Sequence, residues 1–233
     1  MAPIRKRDGT GLNLKGFNQV RKGDGTVLWR AIPNSGLLHR WNISDTSYPI
    51  IDSEGNNDLS QGSGGSFVSN SRFYDGVGYK TDGSNDYAVG NFIDTPNFTL
   101  VWWTEPDITN YSNAVVENGD EWPQLFQDSD GGGWGAELRG TFVDGIGSQS
   151  TSELHMLAVR YDGSTFNLDY NAGEDTDSIS VSKSVPSSSS EIHIGRRGDP
   201  EREYPGVHDF GLWYDRYLSD SELQTIYDAH PST

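Results

Sequence analysis

Apolar and polar residues alternate in Phe166-Asn-Leu-Asp-Tyr170, so Phe166, Leu168 and Tyr170 should face inward and Asn167 and Asp169 outward. That is the pattern of a half-buried antiparallel strand. Ile192 and Ile194 repeat the period of two. Phe98–Trp103, Leu154–Tyr161 and Val207–Tyr214 instead carry strand-forming residues on both faces, which predicts central strands covered on two sides. The period changes once. Ser219 and Glu222 form an S-x-x-E capping box, each side chain able to bond the other's exposed backbone N–H, and Leu223, Ile226 and Tyr227 then share one helical face. One short helix therefore closes an otherwise all-β chain. The strand-like runs are separated by turn clusters fed by 28 glycines, and 233 residues suffice for one sizeable core. The stretch 175–190 is rich in Ser and acidic residues, and within it Ser187–Ser190 reads as a solvated loop.

Charge divides the chain. Residues 1–30 hold seven Lys or Arg against two Asp, net +5, whereas the remainder is at −22, giving −17 overall. Two Asp-Gly turns, Asp8-Gly9 and Asp24-Gly25, adjoin short β-like runs such as Val27–Trp29 and predict small hairpins. Such a unit buries too little to stand alone, so residues 1–33 are expected to be a basic β-hairpin arm that docks on protein, through Arg5, Lys6, Arg7, Arg21, Lys22 and Trp29. The cations are too sparse, and stacking aromatics too few, for a nucleic-acid site. Pro33–Gly36 is the expected linker. The acidic body suits brine, because at about 1 M salt the Debye length is about 3 Å and its self-repulsion is screened; the plainer reading is an ordinary acidic domain.

The closing segment resembles the signature of the laminin-G-like, concanavalin A-like jelly-roll family, through Gly206, Asp209, Tyr214, Arg216, Leu218, Ser219 and Glu222; His208, Phe210 and Gly211 depart from it. Leu37–Trp41, Asp52–Asn56 and Asp82–Tyr87 resemble its opening strand, first turn and D-G-S-x-D-Y hairpin, and Phe98–Trp103 and Leu154–Gly163 its central strands. The resemblance implies an all-β, two-sheet antiparallel jelly-roll β-sandwich over residues 34–233, with a short C-terminal helix and the N-terminal hairpin arm. Members of that family often hold Ca²⁺ at one rim, and the matching residues here are Asp52, Asn56 and Asp209. Asp52–Asp58 also offers oxygen side chains at alternate positions, although Asn57 and Ser63 stand where an EF-hand needs Gly and Glu; a polar turn is the plain alternative.

Catalytic signals are sparse. There is no E-x-D-x-x-E triplet, G-x-S-x-G elbow, H-E-x-x-H pair or P-loop, and the expectation is a protein that is not an enzyme. His155, His193 and His208 read as strand histidines bonded locally rather than as a metal site. Sugars present C–H faces to flat exposed rings, and Trp122 beside Pro123 and Trp134 within a glycine run lie where a ring could be exposed; Trp102, Trp103 and Trp213 read as core. No run approaches the roughly 18 apolar residues of a membrane span, and the first residues lack the apolar core of a secretory signal. With no cysteine, packing alone must hold the fold.

An adhesive sandwich without a secretion signal, with a docking arm and a salt-tolerant exterior, fits a virion surface protein of a tailed virus infecting a halophilic archaeon, as a capsid turret or tail fibre. The expected partners are further copies of the chain in a trimer or pentamer, other virion proteins through the arm, and a host-surface glycan or glycoprotein. The alternative is a cellular secreted or surface glycan-binding module, and after it a relative of the glycoside hydrolases.

Overall fold

The computed structural model describes residues 32–44, 46–70, 72–109, 113–119, 121–128, 132–151, 153–186, 191–197 and 203–230, and the backbone of 19–21 and 27–30. Strands β1 (Gln19–Arg21) and β2 (Val27–Arg30) pair antiparallel, Gln19 opposite Arg30. The body follows as β3 (Leu37–Asn42), β4 (Ser60–Ser63), β5 (Ser66–Ser69), β6 (Val77–Asp82), β7 (Tyr87–Asn91), β8 (Phe98–Pro106), β9 (Ala114–Asn118), β10 (Gln124–Gln127), β11 (Trp134–Glu137) and β12 (Phe142–Ile146). It continues through β13 (His155–Tyr161), β14 (Thr165–Tyr170), β15 (Asp175–Ser180), β16 (Glu191–Ile194) and β17 (Pro205–Tyr214) to α1 (Asp220–Ala229). Among the described residues no helix is long and apolar enough to cross a membrane.

Two antiparallel sheets stack. One runs β12-β11-β10-β9-β16-β7-β4, the other β15-β14-β13-β8-β17-β6-β5, with β3 beside the second half of β17. Strand alternation decides what each face meets. Phe98, Leu100 and Trp102 of β8, with Leu157 and Val159 of β13, point into the core between the sheets. Their neighbours Val101, Trp103, Met156 and Ala158 point the other way, into a second apolar layer closed by Leu223 and Ile226 of α1. These runs lack polar alternation because both their faces are covered. Ser219 caps α1 as predicted, its side chain and that of Glu222 bonding each other's backbone N–H.

Four local expectations change. Asp82–Tyr87 is a corner rather than a hairpin: β6 lies in the eight-stranded sheet and β7 in the seven-stranded one. Gly83 and Asn85 turn it at φ of 80° and 62°, and Asp86 accepts the Asp82 N–H at 3.0 Å. Residues 175–180, for which the sequence predicted no strand, form the polar edge strand β15, paired with β14 from Tyr170↔Asp175 to Thr165↔Ser180, while the expected loop at 187–190 lies outside the described residues. Polar side chains suit an edge, where apolar ones would invite further pairing. Asp169 faces away from the inter-sheet core but is buried there, held by Arg160 at 2.6 Å. The expected linker at 33–36 is fastened down. Tyr214 donates to the Pro33 carbonyl at 2.9 Å, Arg216 to that of Ser35 at 2.7 Å, and Ile32 is buried under α1.

Candidate functional site

The two sheets differ on their outer faces, since α1 covers only the eight-stranded one. In the seven-stranded sheet Ala88, Val116, Leu125, Ala136, Val143, Ile192 and Ile194 point into the core. The residues between them therefore face outward, and the register lines them up across strands. Val89 lies opposite His193, His193 opposite Glu117, Glu117 opposite Gln124, Gln124 opposite Glu137, and Glu137 opposite Phe142. Six strands thus assemble one row, polar between its apolar ends Val89 and Phe142. Beside it Ala114 faces Phe126, and Phe126 faces Gly135, where a Cβ would come within 2.4 Å of the Phe126 ring. Only glycine lets that ring lie across the neighbouring strand.

A depression of about 170 Å³ opens over β9 to β12, lined by Asn113, Gln124, Phe126, Glu137, Phe142 and Asp144 among others. Asn113 is 1% exposed, yet neither its Nδ2 nor its Oδ1 has a hydrogen-bond partner. Leaving a buried polar group unpaired costs about 1–3 kcal/mol, so an amide in this state is suited to a ligand that both donates and accepts. Phe142 is 50% exposed and meets the Phe126 ring edge-on at 6.4 Å, which leaves an apolar surface open at the rim. Burial pushes the Glu137 carboxyl up to about 7, helped by its hydrogen bond with and repulsion from Glu121; Arg197, which pairs with Glu121, and the Gly140 N–H act the other way. Burial likewise lowers His193, as does Arg196, against Glu191 which raises it.

The residues singled out in the sequence lie elsewhere. Trp122 and Trp134 are both wholly buried, which corrects the expectation of exposed stacking rings. Trp122 donates its indole N–H to the Thr95 carbonyl at 3.1 Å and packs against Phe98 and Tyr161. Trp134 donates to the Ser148 carbonyl at 2.8 Å and lies opposite Gln127 and Ile146 on the inward side of β11. Turn-like surroundings hid the fact that each indole N–H has a backbone carbonyl to accept it. Trp102, Trp103 and Trp213 are core, as expected.

Of the residues matched to a Ca²⁺ rim, Asp52 and Asp209 are already engaged by hydrogen bonds within the protein. Ca²⁺ takes 6–8 oxygens with lone pairs to spare. Asp52 spends its own on Arg40 N (2.9 Å), Glu54 N (3.2 Å), Gly55 N (2.9 Å), Asn57 N (3.1 Å) and His39 Nδ1 (2.6 Å). Burial alone would raise its pKa, but these bonds together hold it well below the usual carboxylate range. Asn56 is exposed. Asp209 sits at a bulge of β17, where it accepts from Tyr74 N at 2.9 Å and from His230 at 2.7 Å. Among the described residues no three His, Cys, Asp or Glu could hold a metal ion together. His208 is sealed inside the sandwich, where burial lowers its pKa to about 3, and His155 bonds Ser150 and Tyr170. Of the expected arm residues, Arg5, Lys6, Arg7 and Lys22 lie outside the described residues, and Arg21 and Trp29 are described by backbone alone.

Sequence reasoning missed Asn113 and Phe142. The alternation of Phe142, Val143 and Asp144 does put Phe142 and Asp144 on one face, but which face is open depends on where α1 packs. Nothing in the residues around Asn113 marks it.

Two stacked antiparallel sheets, one with its outer face covered by α1 and the other with a polar outer face on which no helix packs among the described residues, make a two-layered β-sandwich. Residues 80–224, more than half of the chain, match the family described as the concanavalin A-like lectin/glucanases superfamily, and the chain belongs to it. No curated protein matches the sequence. Among solved structures, a Trypanosoma rangeli sialidase in complex with 2,3-difluorosialic acid is similar over 92% of this chain and 36% of its own, with 16% identity and a TM-score of 0.69. The chain thus spans about a third of that protein's length. The binding domain of Paraclostridial Mosquitocidal Protein 1 is similar over 82% of this chain and 52% of its own, at 16% identity and a TM-score of 0.62. Domain 4 of AbnA, a GH43 extracellular arabinanase from Geobacillus stearothermophilus, in complex with arabinotriose, matches 84% of this chain along 100% of its own, at 16% identity and a TM-score of 0.61. Identities this low speak for the fold alone.

Proposed function

We propose that this protein is a non-catalytic carbohydrate-binding module that takes its glycan on the outer face of the seven-stranded sheet, in the depression over β9 to β12. The observation that carries the reading is the buried, unpartnered Asn113 amide in the same depression as the half-exposed Phe142 ring. A sugar hydroxyl can satisfy both amide atoms while a C–H face covers the ring. The arabinotriose complex of AbnA domain 4 supports the ligand class. The particle-borne role expected from the basic arm has no such support, and the alternative, a secreted or surface glycan-binding module, takes its place.

One observation favours a hydrolytic reading. Glu137, with a pKa of about 7, stays partly protonated at neutral pH, as a general acid must, and Asp144 lines the same depression. Its hydrogen bond with Glu121 weighs against this, because the proton is shared there rather than offered to a ligand. A glycan array followed by calorimetry tests both readings. Phe142→Ala and Asn113→Ala should each weaken binding about tenfold or more, the worth of one stacking or paired-amide contact. Unchanged affinity in both variants would refute the site, and release of reducing ends from the bound glycan would favour the hydrolase.

A further inference from the structure

The open face has a second cluster of unpartnered atoms, outside the depression. Tyr87 of β7 packs edge-on against His193 of β16 at 5.8 Å, which places its ring on the same outward side. The Arg196 guanidinium lies over that ring, 3.8 Å from its centroid. Arg196 is bridged antiparallel to Glu203, and Glu203 is bridged in turn to Ala114, a residue of the depression's wall. Glu203 accepts the Asn85 N–H through Oε2, so one of its oxygens is committed to the corner that joins the sheets.

The remaining atoms are not committed. Glu203 Oε1, Arg196 Nε and His193 Nδ1 are buried without a hydrogen-bond partner, and Glu203 and His193 are 8% and 7% exposed. A full donor and a full acceptor on bridged neighbours thus share one face, each lacking the bond that burial demands. Arg196 holds its position by stacking on Tyr87 rather than by an ion pair, which leaves its Nε–H available.

We infer that Arg196, Glu203 and His193 form a second sugar subsite, contiguous with the depression through Ala114, so that the ligand is a neutral oligosaccharide lying across the strands. This rests on the carbohydrate reading of the same face. A hydroxyl that accepts from Arg196 Nε–H and donates to Glu203 Oε1 answers both atoms at once. A carboxylate sugar would meet Glu203 as a like charge, which is why the inferred ligand is neutral. From β7 to β12 there are five inter-strand steps of about 4.8 Å, roughly 24 Å, room for several sugar units rather than one.

An array of neutral mono- to hexasaccharides, with calorimetry on the best-bound series, tests the inference on the full chain. Wild-type affinity should rise with chain length. Arg196→Met, which keeps an unbranched side chain beside Tyr87 without the guanidinium, and Glu203→Gln, which keeps an acceptor for Asn85, should each remove that rise by about tenfold while leaving the shortest bound sugar unaffected. Asn113→Ala should weaken short and long sugars alike. If affinity is independent of length, or the rise survives in both variants, the second subsite is overturned and the first stands. If no sugar of any length binds the wild type, both fall. Near-UV circular dichroism checks the fold of each variant, and the wild-type length series decides without any of them.

Discussion

The outer faces of the two sheets both bury charged groups and treat them differently. Under α1 the buried charges of the eight-stranded sheet are paired. Arg160 meets Asp169 at 2.6 Å, Asp220 at 2.8 Å and the Leu218 carbonyl at 2.8 Å, while Asp209 meets His230 at 2.7 Å. The unpartnered atoms on that face, Trp103 Nε1 and Asn167 Oδ1, belong to neutral side chains. On the seven-stranded sheet Asn113, Arg196, Glu203 and His193 keep atoms without partners. Burial alone does not separate the two faces. Pairing of the buried charges does, because the first face gains stability from its bonds and the second leaves charged groups able to bond a further partner.

Breaking a pair on the covered face should have the largest effect. Asp209→Ala removes the acceptor shared by the Tyr74 N–H and by His230, whose ring stacks on Trp103 at 4.0 Å, and should cost about 3–5 kcal/mol in urea unfolding. A loss below about 1 kcal/mol would erase the contrast between the faces.

An intermediate effect is expected at Glu137, where the open face holds a carboxyl against its preference. Its folded pKa lies above the ordinary 4.5, at about 7, so its stabilising contribution is complete below pH 4.5 and is lost as pH rises through about 7. Glu137→Gln should therefore be more stable than wild type near pH 8 by about 1–3 kcal/mol and indistinguishable from it near pH 4. Thermal melts across that range read the difference, and parallel curves for the two proteins would contradict it.

The smallest change in stability belongs to Asn113→Ala. Removing an amide that bonds nothing relieves its desolvation but leaves a void in its place, and the two offset, so unfolding should shift by less than about 1 kcal/mol in either direction even though binding falls. A loss comparable to that of Asp209→Ala would show that Asn113 is a structural residue after all.

Much of the architecture is legible in the residues. The apolar runs at Phe98–Trp103 and Leu154–Tyr161 announce strands covered twice, and the pair Ser219 and Glu222 marks the helix start to the residue. The site is far less legible. Trp134 looks like an exposed ring because glycines surround it, yet it is wholly buried and bonded to the Ser148 carbonyl. Glu117, Gln124, Glu137 and Phe142 come together only through strand register, with no motif to connect them.

Local chemistry in the chain by itself determined the strands, the capped helix, the acidic body and the basic amino-terminal stretch, since period, propensity and charge act over a few residues. The tertiary structure alone decided that β6 and β7 part at a corner, that the tryptophans turn inward, and that the helix shields one sheet and leaves the other open. Those outcomes depend on which distant surfaces meet, and a hydrogen bond left unmade can be recognised only when every nearby partner is in place.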